Sequence, residues 1–276
     1  MGVHSMKSYC VLVCSALFLT ACGSAGTVST ANNVTMQGGQ WEFAVAPTDG
    51  SSPFYIDMNL STTNGPLSVS NASIYNSAVV GLPHADAPIY CGSFNLAGAI
   101  SQATLKGNLT WGQATSRFAS LAGILASDGK SFSQGSYSGQ SCTLSASPVS
   151  SGPHTEAVLT GYLVPPVNGT FTGILNSSLH GPATVTLSIT QNPDFTLAFS
   201  GTLVENGVTS MLTPLANPAS AAVTGATIGL GGTATSVNGS SPVDFAGHLN
   251  SQATQITVTN MSLGSDELFT GSLTRQ

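Results

Sequence analysis

Apolar and polar residues alternate along most of this chain with a period of two, and glycine often sits at the centre of the beat. The clearest instance is Phe171-Gly173-Leu175. It returns at Leu105-Gly107-Leu109, Leu121-Gly123-Leu125, Leu159-Gly161-Leu163, Phe199-Gly201-Leu203, Phe245-Gly247-Leu249 and Phe269-Gly271-Leu273. Alternation of this kind sends successive side chains to opposite faces of a sheet, so each segment is predicted to be a strand. Two further strands are predicted where Trp41, Phe43 and Val45 alternate with Gln40, Glu42 and Ala44, and where Phe54, Ile56, Met58 and Leu60 alternate with Tyr55, Asp57, Asn59 and Ser61. Turn signals separate the strands, among them Asn64-Gly65, Ser127-Asp128-Gly129 and Asn192-Pro193-Asp194. Residues 81–92 read as a loop, 222–230 and 232–237 as two strands. No window after the N-terminal segment carries a helical stripe.

The chain can be laid over itself. GGQWEFAV (38–45) matches NGTFTGIL (168–175), and FYIDMNLSTTNGPLSVS (54–70) matches ATVTLSITQNPDFTLAF (183–199). FASLAGILASDGKSFSQGSYSG (118–139) matches VDFAGHLNSQATQITVTNMSLG (243–264), and AVLTGYLV (157–164) matches ELFTGSLT (267–274). The expectation is a tandem duplication, 38–166 and 167–276. The fold class is all-β: two tandem antiparallel meanders of about eight short strands each, closed as barrels or folded as sandwiches. Closure is favoured because it removes unpaired edges, and this chain has few lysines with which to protect one. In a sandwich the glycines would mark bulges instead.

Composition narrows the class. Only 6% of the residues are charged, against about a quarter in ordinary globular chains. Hydrophobic residues still make up 41%, so the chain has the material for a core and does not read as disordered. The net charge is −6, and after residue 7 only Lys106, Arg117, Lys130 and Arg275 are basic. So few cations cannot neutralise a run of phosphates, which excludes nucleic acid as a partner. Aromatic residues at 7% and short strands also argue against a barrel that itself spans a membrane.

The N-terminus carries an address. Lys7 precedes an apolar stretch, Cys10–Leu19, of the length of a secretion signal and too short for a membrane span. It ends in Leu19-Thr20-Ala21-Cys22, which resembles the bacterial lipobox; an ordinary signal peptide with a coincidental cysteine is the alternative. The resemblance implies a lipoprotein signal peptide over 1–21, lipid attachment at Cys22, and a lipidated flexible tether over 22–37, small and polar throughout. Gly23 is not the aspartate associated with inner-membrane retention, so the resemblance implies the outer membrane. The body is similar to low-charge, Gly/Ser/Thr-rich lipoproteins of soil bacteria such as the acidobacteria, a likeness that implies no activity.

Candidate chemistry is sparse. Cys91 and Cys142 remain as an even pair beyond the signal and are expected to form a disulfide in an oxidising compartment, contributing roughly 4 kcal/mol in the chain-entropy model. A reactive or metal-binding pair would lack a third ligand nearby. Nucleophile-elbow, zinc-protease and phosphate-loop motifs are missing, so no catalytic residue, metal or cofactor is assigned. His84 and Asp86 lie two apart in the 81–92 loop, a spacing that suits an oriented base or a metal ligand as well as an ordinary polar loop. His248 is predicted to face solvent, and Asp266-Glu267 to form a turn. The expected function is a non-catalytic, lipid-anchored envelope protein, structural or binding, with a small apolar ligand inside a barrel or an envelope protein as partner. The alternative is an extracytoplasmic enzyme with a loop-borne site near His84 and Asp86.

Overall fold

The computed structural model describes residues 34, 36–51, 53–62, 67–76, 89–101, 103–111, 117–142, 151–217 and 220–276. Within 61–95, 97, 99–101, 111–118 and 141–153 it describes the path of the backbone in the strands and not the side chains. Cys22, His84 and Asp86 lie outside the described residues, as do the signal peptide and most of the tether.

The described residues form seventeen strands and no α-helix. The first sheet consists of β1 (Gly39–Pro47), β2 (Phe54–Thr62), β3 (Leu67–Asn76), β4 (Ile89–Ser101), β5 (Thr104–Trp111), β6 (Arg117–Ile124), β7 (Ser131–Cys142) and β8 (Ser151–Val164). They run as an antiparallel meander, and β1 pairs with β8 from Gln40↔Val164 to Pro47↔Ala157, so the barrel is closed. The second sheet contains β9 (Gly169–Ser177), β10 (Gly181–Gln191), β11 (Leu197–Glu205), β12 (Val208–Pro214), β13 (Ala221–Thr224), β14 (Thr227–Ser236), β15 (Gly239–Leu249), β16 (Gln255–Leu263) and β17 (Glu267–Arg275). Its order is β12-β11-β10-β9-β17-β16-β15-β14-β13, and β12 also pairs with β14, so the sheet curls until its ends meet.

The alternation explains what fills each sheet. In β1 the side chains of Trp41, Phe43 and Val45 are fully buried, and so are Ile56 and Met58 of β2. Trp41 packs on Phe43 and Phe132 with ring centroids 5.7 and 5.4 Å apart, and Phe54 meets Tyr137 edge-on at 5.2 Å. The second sheet has its own apolar interior, including Phe171, Leu175, Leu203, Ile228, Phe245 and Phe269.

Three local expectations change. Cys91 lies within β4 and Cys142 ends β7, paired with Ser151, so neither sits in the loop expected for it. A Ser/Gly-rich run is as compatible with a barrel strand as with a loop when both neighbours supply the hydrogen bonds. The cysteine side chains, and with them the disulfide, fall outside what is described. The break expected between 230 and 232 is instead at Gly225-Ala226, where Gly225 adopts φ +54°. Gly231 and Gly232 continue inside β14. Gly225 is required there for space as well as for conformation: a Cβ would lie 2.6 Å from the Trp41 carbonyl oxygen and from Asp57 Cβ. The β13–β14 turn can therefore rest directly on β1 and β2.

Candidate functional site

That contact explains an anomaly in the first barrel. The polar positions of β1 and β2 that alternation sends outward are buried too: Gln40, Glu42, Asp57 and Asn59 are each no more than 4% exposed. They are covered by β13, β14 and β15. Cross-strand register places Asp57, Glu42 and Tyr162 side by side, because Glu42 is the partner of Asp57 on β2 and of Tyr162 on β8. Register in the second sheet likewise makes Thr227 and His248 partners. The two rows face one another. Thr227 Oγ1 donates to Asp57 Oδ2 at 2.5 Å, Tyr162 donates its hydroxyl to Glu42 Oε1 at 2.7 Å, and His248 Nε2 is hydrogen-bonded to Glu42 Oε2. Beside them the Asn59 amide donates to the Val223 carbonyl at 2.7 Å and its oxygen accepts from Gly225 N–H at 3.0 Å.

Burial dominates the electrostatics of this junction. Asp57 is pushed up to about 7, first by loss of water and then by the neighbouring Glu42 charge, against the opposing pull of His248, Thr227 and the Ala226 amide. Burial and the Glu42 charge also push the Tyr162 hydroxyl upward, so it stays a neutral donor. Asp57 Oδ1 is buried and has no hydrogen-bond partner. The expectation that His248 faces solvent is corrected: it is 9% exposed and turned onto Glu42. It does lie on the outer face of its own sheet, but that face is covered by the first barrel.

A second polar cluster lies at one mouth of the curled sheet, where the β9–β10, β11–β12, β14–β15 and β16–β17 turns gather. Glu205 closes β11, Glu267 opens β17, and His180 and Ser177 flank the β9–β10 turn. His180 Nδ1 lies 2.8 Å from Glu267 Oε1 and 3.7 Å from Glu205 Oε2. Ser177 donates its hydroxyl to Glu267 Oε1, while its oxygen accepts the backbone N–H groups of Leu179 (3.1 Å) and His180 (3.0 Å). The turn expected at Asp266-Glu267 is corrected in part: Glu267 is the first residue of β17 and 7% exposed.

The two carboxylates are driven apart. Burial raises Glu205, helped by its contact with Glu267. For Glu267 burial acts in the same direction but is outweighed by hydrogen bonds from Ser177, His180 and Glu205, so it is lowered. His180 is raised, chiefly by its hydrogen bond to Glu267. Such a pair holds one proton more readily than two or none. Beside it opens a cavity of about 390 Å³, lined by Glu205 and His180 together with Asn206, Ser210, Asn238 and Ser240, among others. Glu205 Oε1 is buried without a hydrogen-bond partner.

Each cluster brings three donor atoms within 4.8 Å of one another, from Glu42, Asp57 and His248 in one case and His180, Glu205 and Glu267 in the other. Alternation and motif spacing mark none of these six as a site residue. The one signal the sequence carries is scarcity: Asp and Glu together number 11 in 276 residues, so an acid inside a strand stands out against its neighbours.

No known family matches the chain, and no curated protein matches it. Among solved structures, a protein of unknown function from the DUF3598 family of Nostoc punctiforme PCC 73102 is 14% identical, with 89% of this chain and 97% of that one covered and a TM-score of 0.23. Kievitone hydratase from Nectria haematococca is 11% identical, with 89% and 92% covered and a TM-score of 0.22.

Proposed function

We propose that this is a lipid-anchored envelope protein that binds a small polar ligand at the mouth of its second sheet. The observation that carries the ligand reading is Glu205 Oε1, buried and without a hydrogen-bond partner in the residue that lines the cavity beside the Glu267 carboxylate. A buried acceptor left open costs free energy unless a donor fills it. An amine- or hydroxyl-bearing ligand brings that donor, and the serine and asparagine side chains of the lining hold its remaining polar groups. Among the described residues, those that point into the two sheets are apolar and buried against one another. The polar lining therefore favours a polar occupant over the apolar one that barrel architecture suggests.

The test is native mass spectrometry of the protein extracted from its own envelope. The wild type is expected to retain a small molecule that Glu205→Gln loses; a wild type that carries nothing, or a Gln variant that retains it equally, refutes the assignment. Retention should also depend on pH with a definite sign. Glu205 is held above its ordinary value, so it is the first of the pair to take a proton as pH falls. Retention by the wild type is then expected to weaken on acidification.

The anchor rests on Lys7, the apolar Cys10–Leu19 segment and Leu19-Thr20-Ala21-Cys22. Cys22→Ser is expected to shift the protein out of the membrane fraction or stall its processing. Unchanged fractionation refutes the lipid anchor.

A further inference from the structure

We propose that Glu42, Asp57 and His248 bind a divalent transition metal of the Zn²⁺ class at the junction of the two sheets. The site is assembled from strands far apart in the chain, and its three donor atoms lie within 4.8 Å of one another. Each carboxylate has one oxygen already held by a neutral hydroxyl. Tyr162 takes Glu42 Oε1, and Thr227 takes Asp57 Oδ2. This is the arrangement in which outer hydrogen bonds aim the remaining oxygens at an ion.

What remains is Glu42 Oε2, which faces His248 Nε2, and Asp57 Oδ1, which is fully buried and unpartnered. An imidazole nitrogen with two carboxylate oxygens suits zinc and its neighbours. Calcium prefers six to eight oxygens, which this junction does not offer. Charge supports the same reading: with their protons gone the two carboxylates carry −2 in a dry interior, and a divalent cation cancels it. On binding, the proton of the His248 Nε2–Glu42 hydrogen bond leaves to solvent, so that both atoms can ligate the ion. Such an ion would fasten β1 and β2 to β15.

The experiment uses detergent-solubilised full-length protein, stripped with EDTA and dialysed against ZnCl₂. One zinc per chain is expected by elemental analysis and native mass, together with a higher melting temperature than in EDTA. Asp57→Asn keeps the shape of the side chain and relieves a buried charge, so it should fold yet lose the zinc and the zinc-dependent rise. Tyr162→Phe, which touches only the outer hydrogen bond, should weaken zinc binding by about 10–100-fold. Glu205→Gln should leave the stoichiometry unchanged, which separates this site from the cavity. The proposal is overturned if the wild type keeps no zinc, if its melting is the same with zinc and with EDTA, or if the zinc follows Glu205 rather than Asp57.

Discussion

Gly173→Val is expected to unfold the second sheet. Gly173 lies on β9 between β10 and β17, opposite Val185. A Cβ there would sit 2.1 Å from the Ser272 carbonyl oxygen and 3.2 Å from Leu273 Cα, both of them backbone atoms of β17. A flexible side chain could turn away from such a clash, whereas a strand can move only by giving up its ladder with β9. Ordinary overpacking costs about 1–3 kcal/mol, and the loss of a ladder adds to it in a protein class with roughly 5–15 kcal/mol in total. Urea unfolding followed by circular dichroism should show no cooperative transition for this sheet. Ile174→Thr provides the contrast, because Ile174 is 63% exposed and its change should stay within about 0.5 kcal/mol. Wild-type cooperativity in the valine variant would sink the claim that glycine is there for close strand approach.

Trp41→Ala should cost about 3–5 kcal/mol. The indole is fully buried, stacks on Phe43, meets Phe132 at a tilt, and donates Nε1–H to the Gln37 carbonyl at 2.9 Å. Truncation leaves a cavity in the first barrel in place of one of its largest buried side chains, and also removes a hydrogen bond to the chain that enters β1. Because Trp41 and Glu42 are adjacent on β1, with one facing the interior and the other facing the second sheet, the damage should reach the junction. The midpoint of denaturant unfolding measures the loss. A shift equivalent to less than about 1 kcal/mol would show that the site relaxes far more than close packing allows.

The sequence reveals interiors more readily than it reveals junctions. Phe171, Val185 and Leu203 announce their burial through alternation, because the sheet that buries them is made of their own neighbours. All the segments laid over one another fall on strands: β1 and β9, β2–β3 and β10–β11, β6–β7 and β15–β16, β8 and β17. Glu42, Asp57 and His248 obey the same alternation, which places them outside. Nothing in a period of two says that an outer face is covered, and the contact that covers Glu42 comes from a residue 206 positions away. The turn at Gly225 is hidden for a related reason. Gly231-Gly232 is the stronger local break signal, but those glycines let β14 lie close to its neighbours: a Cβ at Gly232 would come within 2.5 Å of the Thr213 carbonyl oxygen of β12. Glu205 and Glu267 stand at strand ends, where a polar residue is the default and carries little information.

The pairing of β1 with β8 also governs the order in which the first barrel can assemble. Gln40 pairs with Val164, so the contact that closes the barrel is the one of longest sequence separation within it. Chains dominated by such contacts fold in milliseconds to seconds rather than microseconds. Without the β1–β8 pairing, β1 would present a row of unsatisfied amides at an open edge. Closure of the barrel removes that edge, which protects the folded chain from pairing with others.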